Sequence, residues 1–270
     1  MSASPRIGLG CVTFGREINE ASSFALLDHA LARGVRHFDT AAAYGGGASE
    51  TILGKWLASR KPHGITVATK ILPPYDRIDL TPSLKRLGVD QIDWLYLHQW
   101  HETAREVDPA LDKLPVSRWC VSNFTLDQLR AMGPRFRALQ NNHNLAVSDV
   151  TDALRGHCAA NEIAIVTYSP LGAGFLTGKH QHGVQAGSRF EIIPGHQQVY
   201  FNDAAHQRLA SLVAISQRTG HSPAHLALAW ALHQPGIDTV LIGGRSPAHL
   251  DQAFAALEFA DEAVLSQLTA

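Results

Sequence analysis

Four side chains able to hold or move a proton stand at or just past the ends of short apolar runs: Asp39, Tyr44, Lys70 and His98. Asp39 closes the run Val35-Arg36-His37-Phe38-Asp39, and Tyr44 follows five residues later, directly before Gly45-Gly46-Gly47. Glycines cannot continue a strand, so the acid and the phenol sit where strand becomes loop. Lys70 ends Ile65-Thr66-Val67-Ala68-Thr69, and His98 ends Ile92-Asp93-Trp94-Leu95-Tyr96-Leu97. A free phenol has a pKa of about 10. A cation beside it favours the phenolate, and Lys70 is the candidate cation. Ser122, Asn123, Gln140 and Tyr168 end further runs. Taken singly, each group has an ordinary explanation: a solvated lysine, a core histidine meeting a carbonyl, a cap and turn at Ser122-Asn123. That explanation must be invoked at nearly every strand, which chance does not favour.

The elements that carry these groups alternate. Strands are expected at 7–11, 35–39, 65–70, 92–98, 118–122, 139–142, 163–168 and 239–243, and most are apolar runs suited to burial on both faces. Helices fall between them. Phe24, Leu27 and Leu31 mark the face of the first, and Ile52, Leu53, Trp56 and Leu57 that of the second, which stops at Pro62. Thr81 with Pro82 opens a third that ends at Gly88; Asp108-Pro109 opens a brief one. Thr125 caps a helix through Met132, and another surrounds Leu154 and Cys158. The rhythm breaks over 169–201, which reads as a long loop of the kind that forms functional lids. Helices resume at 203–219, from Ser222-Pro223 and from Ser246-Pro247.

Eight strands with helices between them predict an α/β fold of the (β/α)8 TIM-barrel type. It would be one domain over residues 1–270, with its site at the carboxyl ends of the strands, where distant groups converge. An open doubly wound sheet is disfavoured because no G-x-G-x-x-G separates the first strand from its helix. The formal net charge of -1 and the lack of a Lys/Arg block argue against nucleic acid or an anionic membrane as partner. Cys11, Cys120 and Cys158 are odd in number and form no C-x-x-C pair, as in reduced cytosolic proteins. No secretory signal is recognised, and the apolar run 226–232 is too short for a bilayer, so a cytoplasmic protein is expected.

Here the motifs become specific. Phe38-Asp39-Thr40-Ala41-Ala42-Ala43-Tyr44-Gly45, Ala68-Thr69-Lys70, Leu97-His98, Val121-Ser122-Asn123-Phe124, Gln140-Asn141, Tyr168-Ser169-Pro170-Leu171-Gly172, Leu176-Thr177-Gly178-Lys179 and Ile242-Gly243-Gly244-Arg245-Ser246-Pro247 resemble the aldo-keto reductases. The resemblance runs from Gly8 to about Ala253. It implies a barrel that binds NADP, with NAD as the lesser option, and reduces an aldehyde or ketone to an alcohol or runs the reverse oxidation. Tyr44 would be the general acid, Lys70 would assist it, Asp39 would pair with Lys70, and His98 would orient the carbonyl. By the same resemblance Ser122, Asn123 and Gln140 would hold the carboxamide, and Tyr168 would stack on the nicotinamide. Ser169, Pro170, Leu171 and Gly172 would line the pyrophosphate, Thr13 would touch the cofactor, and Gly243, Arg245 and Ser246 would take phosphate at a helix N-terminus. The family often has Gln and Asn where His249 and Ala253 stand, which bears on the adenine end.

Phe14, Trp100 and the lid segment are the expected substrate walls, beside Tyr44 and His98, for a small-molecule carbonyl or alcohol that the sequence does not specify. The histidine pairs 98/101, 180/182 and 221/225 have ligand-like spacing, but no further ligand completes any of them, and no metal is expected. The competing reading is a nicotinamide-binding regulatory barrel. Retention of all four proton-handling groups favours an enzyme. Oligomeric state is not readable from the sequence.

Overall fold

Short strands that are apolar on both faces need helices outside and one another inside, and the chain meets both needs by closing its sheet. In the computed structural model, which describes residues 6–107, 111, 113–181 and 183–269, the strands are β1 (Arg6–Gly10), β2 (His37–Asp39), β3 (Thr66–Ile71), β4 (Ile92–Leu97), β5 (Val116–Ser122), β6 (Ala138–Asn142), β7 (Ala164–Tyr168) and β8 (Thr239–Gly243). They pair in parallel and in chain order, and β8 returns to β1, so the sheet has no edge. The register aligns Gly10 with both Asp39 and Gly243, Lys70 with Tyr96, Ser122 with Gln140, and Asn142 with Tyr168. The expected (β/α)8 barrel is therefore the observed one.

The first helices show how local sequence meets packing. In α1 (Glu20–Ala32) the Asn19 side chain accepts the Ser22 N–H, and Leu26, Leu27 and Ala30 are buried. The core face is thus turned from the expected Phe24–Leu31 stripe. Phe24 and Leu31 lie at its flank, where the Arg60 guanidinium covers the Phe24 ring. In α2 (Ala48–Arg60) Ile52, Leu53 and Trp56 face inward as expected. Helix α3 (Thr81–Leu87) has Leu80, not Thr81, at its N-cap, and Asp79 instead accepts the Thr81 N–H at 2.9 Å. Thr125 and Gln128 form a reciprocal capping box for α4 (Leu126–Ala131), and α5 (Asp152–Ala160) follows β6. The helix expected from Asp108-Pro109 lies outside the described residues.

Residues 169–201 correct the expectation of a long irregular loop. They hold a tight turn (Gly172–Thr177) and two short helices, α6 (Arg189–Ile192) and α7 (Gly195–Tyr200), before α8 (Asp203–Thr219). Phe175, Phe190 and Tyr200 are buried and pack ring on ring, with Phe175 and Tyr200 stacked at 6.0 Å. The Tyr200 hydroxyl accepts from the Asn142 amide at 3.0 Å, fastening the segment to the end of β6. Then α9 (Pro223–Leu232), β8, α10 (Pro247–Leu257) and α11 (Glu262–Leu265) complete the chain. Among the described residues no helix is long and apolar enough to cross a membrane.

Helices α2 and α3 touch at Gly54, where an added Cβ would lie 2.2 Å from the Arg86 carbonyl oxygen. Alanine is the better helix former by about 1 kcal/mol, but overlap with backbone cannot be relieved by a rotamer change. Gly54→Ala is expected to lower stability by about 3 kcal/mol in chemical denaturation, against the gain its helix propensity would give alone.

Candidate active site

At the carboxyl end of the barrel, β2 and β3 place an acid and an amine side by side. Lys70 is 1% exposed and Asp39 2%, and the Lys70 ammonium donates to Asp39 Oδ1 and, at 2.8 Å, to the Thr40 carbonyl. The second Asp39 oxygen accepts the Gln140 amide at 2.8 Å from β6. Tyr44 opens the tight turn Tyr44–Gly47 just past β2, and its ring centroid is 4.9 Å from Lys70 Nζ. His98, just after β4, meets the Tyr44 ring edge-on at 5.8 Å. All four groups expected to handle protons are brought together.

Their environments set their protonation. Burial pushes the Tyr44 phenol up from its ordinary value, and the Lys70 charge opposes that rise. Burial alone would push the Lys70 ammonium down, but the Asp39 carboxylate and then the Tyr44 oxygen hold it above the usual lysine value. His98 is pushed down to about 4 by burial first and by Lys70 second. At neutral pH the site therefore holds a cation at Lys70, a protonated phenol and a neutral imidazole. His98 Nδ1 is buried without a hydrogen-bond partner.

The remaining expected residues ring this cluster. Ser122 Oγ donates to the Gln140 carbonyl at 2.9 Å. Asn123, with φ of 61°, donates to the His98 carbonyl at 2.9 Å and accepts the Tyr168 hydroxyl at 2.6 Å. Asn123 is exposed, whereas Gln140 is buried with its amide nitrogen donating to Asp39. Past β7, Ser169 has a φ of 56° and its carbonyl accepts from Asn144 at 2.9 Å; Pro170 and Gly172 are buried and Leu171 half-buried. Thr13 Oγ1 donates to the Gly244 carbonyl at 2.8 Å, joining the loops after β1 and β8. Gly243 and Arg245 are exposed, and Arg245 reaches the Gly187 carbonyl at 2.9 Å. Ser246 Oγ lies 3.3 Å from His249 Nδ1, which also accepts the Arg245 N–H at 3.2 Å.

Two substrate walls need revision. Phe14 is fully buried in the core cluster and presents no surface to a ligand. Phe175 and Phe201 likewise pack within the lid, 5.7 Å apart. Trp100 is half-buried, packed edge-on against Phe124 at 5.2 Å with the Arg105 guanidinium over its face. As for the histidine pairs, His101 caps the turn Glu102–Glu106 and His221 stacks on His225, while His182 lies outside the described residues. Among the described residues no group of three or more ligand-type side chains could hold a metal ion.

Several participants gave no sequence signal. Glu17 follows β1 and is clasped by Arg16 at 2.7 Å and by lid residue Arg189 at 2.7 Å. Burial would raise its carboxyl, but the two arginines bring it below the usual range. Buried Glu50 and half-buried Arg86 form a pair beneath the Tyr44 turn. Neither cluster has a spacing that periodicity or a short motif would expose.

The model of the Aldo/keto reductase family matches residues 6–265. A probable aldo-keto reductase from Glycine max is 31% identical over 93% of this chain and 80% of its own. Among solved structures, a glycerol dehydrogenase from Gluconobacter oxydans superposes with a TM-score of 0.76 at 22% identity, covering 98% of this chain and 91% of its own. An aldo-keto reductase from Klebsiella pneumoniae, solved in complex with NADPH, superposes at 0.75 with 23% identity over 98% and 90% of the two chains.

The depressed His98 makes a pH prediction. An imidazole with a folded pKa of about 4 against an ordinary 6.5 binds fewer protons folded than unfolded between those values. Stability is then complete above 6.5 and declines as pH falls toward about 4. The fall in thermal unfolding midpoint across that interval should be smaller in His98→Asn than in the parent protein.

Proposed function

The chain belongs to the aldo/keto reductase family, and from that premise we propose that it interconverts an aldehyde or ketone and the corresponding alcohol with NADP(H) at the cluster of Asp39, Tyr44, Lys70 and His98. The observation that carries the reading is the buried Lys70 ammonium, fixed by Asp39 and lying over the Tyr44 ring 4.9 Å from its centroid.

The residues present fit a dinucleotide. Gly10 and Gly243 are register partners at the carboxyl ends of the paired strands β1 and β8, and a Cβ on either would meet only backbone, no nearer than 3.8 Å, so the barrel rim there is free of side chains. Arg245 and Lys179 are exposed cations near the N-terminus of α10, a setting suited to phosphate. Asn123 and Tyr168 stand beside the His98 backbone, where they would meet a nicotinamide carboxamide and ring face. The Klebsiella pneumoniae relative, crystallised with NADPH, supports NADP as the partner. Three free, buried cysteines support a reducing, cytoplasmic setting.

NADP(H) held at this site would supply the hydride for the carbonyl carbon, or accept it in reverse. Every other part belongs to the protein. As the carbonyl oxygen gains charge, Tyr44 gives it the phenolic proton, and the phenolate left behind is stabilised by Lys70. Asp39 keeps that ammonium aimed, and Gln140 keeps Asp39 aimed. His98, neutral, donates a ring N–H that orients the substrate oxygen.

Tyr44→Phe retains the ring and removes the proton. With NADPH and an aldehyde panel it is expected to lower kcat by about 10²- to 10⁴-fold while NADPH binding, read by nicotinamide fluorescence, changes little. Equal rates for the two proteins would remove Tyr44 from its role. Tight NADPH binding without turnover of any carbonyl or alcohol would point instead to a regulatory barrel.

A further inference from the structure

A carboxylate with no exposed surface, away from the reacting groups, touches the segments that carry two of them. Glu50 stands in the first turn of α2 and is 0% exposed. Its Oε1 accepts the Thr69 hydroxyl at 2.6 Å, and Thr69 is the residue before Lys70. Its Oε2 accepts from Arg86 Nε at 2.7 Å and from Ser83 Oγ at 3.3 Å, both in α3. The Arg86 side chain then runs flat beneath Gly47, the last residue of the turn that begins with Tyr44. A Cβ on Gly47 would lie 2.8 Å from Arg86 Cδ and Nε. Gly47 has a φ of 95°, so a side chain there would be strained as well as crowded. One ion pair thus supports the floor of the Tyr44 turn and is hydrogen-bonded to the strand beside Lys70.

Packing alone does not call for such a pair. Glu50 is fully buried and Arg86 partly so, and ion pairs withdrawn from water are often replaceable by apolar groups at no loss of stability. What an apolar pair would not supply is a directed fork holding α2, β3 and α3 at set distances. We propose that Glu50 and Arg86 are positioning residues that set the distance between the Tyr44 phenol and the Lys70 ammonium. The inference rests on the catalytic reading of Tyr44 given above. The groups act through Tyr44 and Lys70 and touch neither substrate nor cofactor.

The test uses Arg86→Met, Arg86→Lys and Thr69→Val in the full chain. Tyr44 ionisation is followed by phenolate absorbance, as the difference from Tyr44→Phe in the same background, and kcat, carbonyl KM and NADPH binding are measured alongside. In Arg86→Met the Tyr44 phenol is expected to titrate higher, having lost part of its attraction to Lys70. Its kcat should fall about 10- to 100-fold while NADPH binding stays within about twofold. Arg86→Lys should recover part of both losses. Thr69→Val, which removes only the hydroxyl contact, should give a smaller shift in the same direction, and it carries the test if Arg86→Met does not fold. A folded Arg86→Met or Thr69→Val whose Tyr44 titration and kcat match the parent would overturn the proposal and leave the pair a purely structural one. If the parent protein turns over no carbonyl, the catalytic reading fails, but the Tyr44 titration still decides the positioning role.

Discussion

A lysine and an aspartate, both almost wholly withdrawn from water, hold the centre of this molecule together. Removing either charge from solvent is expensive, and the pair is tolerable only because nearly every donor and acceptor is matched. Lys70 is met by Asp39 and the Thr40 carbonyl, and the free oxygen of Asp39 is met by Gln140 from across the barrel. Breaking one member would leave the other uncompensated, at a cost of about 3–5 kcal/mol. An apolar pair of the same volume would have held the strands as well. The arrangement is therefore better understood as a way of keeping a positive charge fixed in a dry place than as a source of stability.

The barrel makes this possible because its closure converts distance in sequence into proximity. Asp39 and Gln140 are 101 residues apart, yet both side chains enter the same layer of the lumen, one from β2 and one from β6. The same geometry joins the loops after β1 and β8 through Thr13 and Gly244, and lets the lid reach back to the loop after β1 through Arg189 and Glu17. Helices outside contribute in turn. The ordering of the Tyr44 turn depends on α3 lying close enough for Arg86 to pass beneath Gly47, and that closeness depends on Gly54 having no side chain.

This separates what was readable from what was not. Strands buried on both faces announce themselves as apolar runs, so all eight appear in the sequence within a residue or two of their observed ends. The groups at their carboxyl ends follow from the fold class, and Asp39, Tyr44, Lys70 and His98 do converge. Contacts set by tertiary packing leave no such trace. Phe175, Phe190 and Tyr200 pack together at irregular intervals along the lid, so no period reports them, and the segment read as structureless. Phe14 read as an aromatic wall of the site, but it packs within the core. Glu50 and Arg86 carry no mark in the sequence, since only the approach of two helices pairs them.

The buried cation also explains how one small volume can hold groups with opposite protonation needs. Burial disfavours the charged form of each neighbour: it pushes the Tyr44 phenol up, toward remaining protonated, and the His98 imidazole down, toward remaining neutral. Lys70 lowers both, against burial at one and with it at the other. It stabilises the anion that Tyr44 becomes on losing its proton, so its field works against burial there. At His98 the field repels the imidazolium and adds to burial. A single fixed charge thereby readies the phenol to release a proton and denies the imidazole any competing one. Two histidines or two tyrosines in the same positions could not be sorted in this way, because burial, which here raises the phenol and lowers the imidazole, would then move both in the same direction.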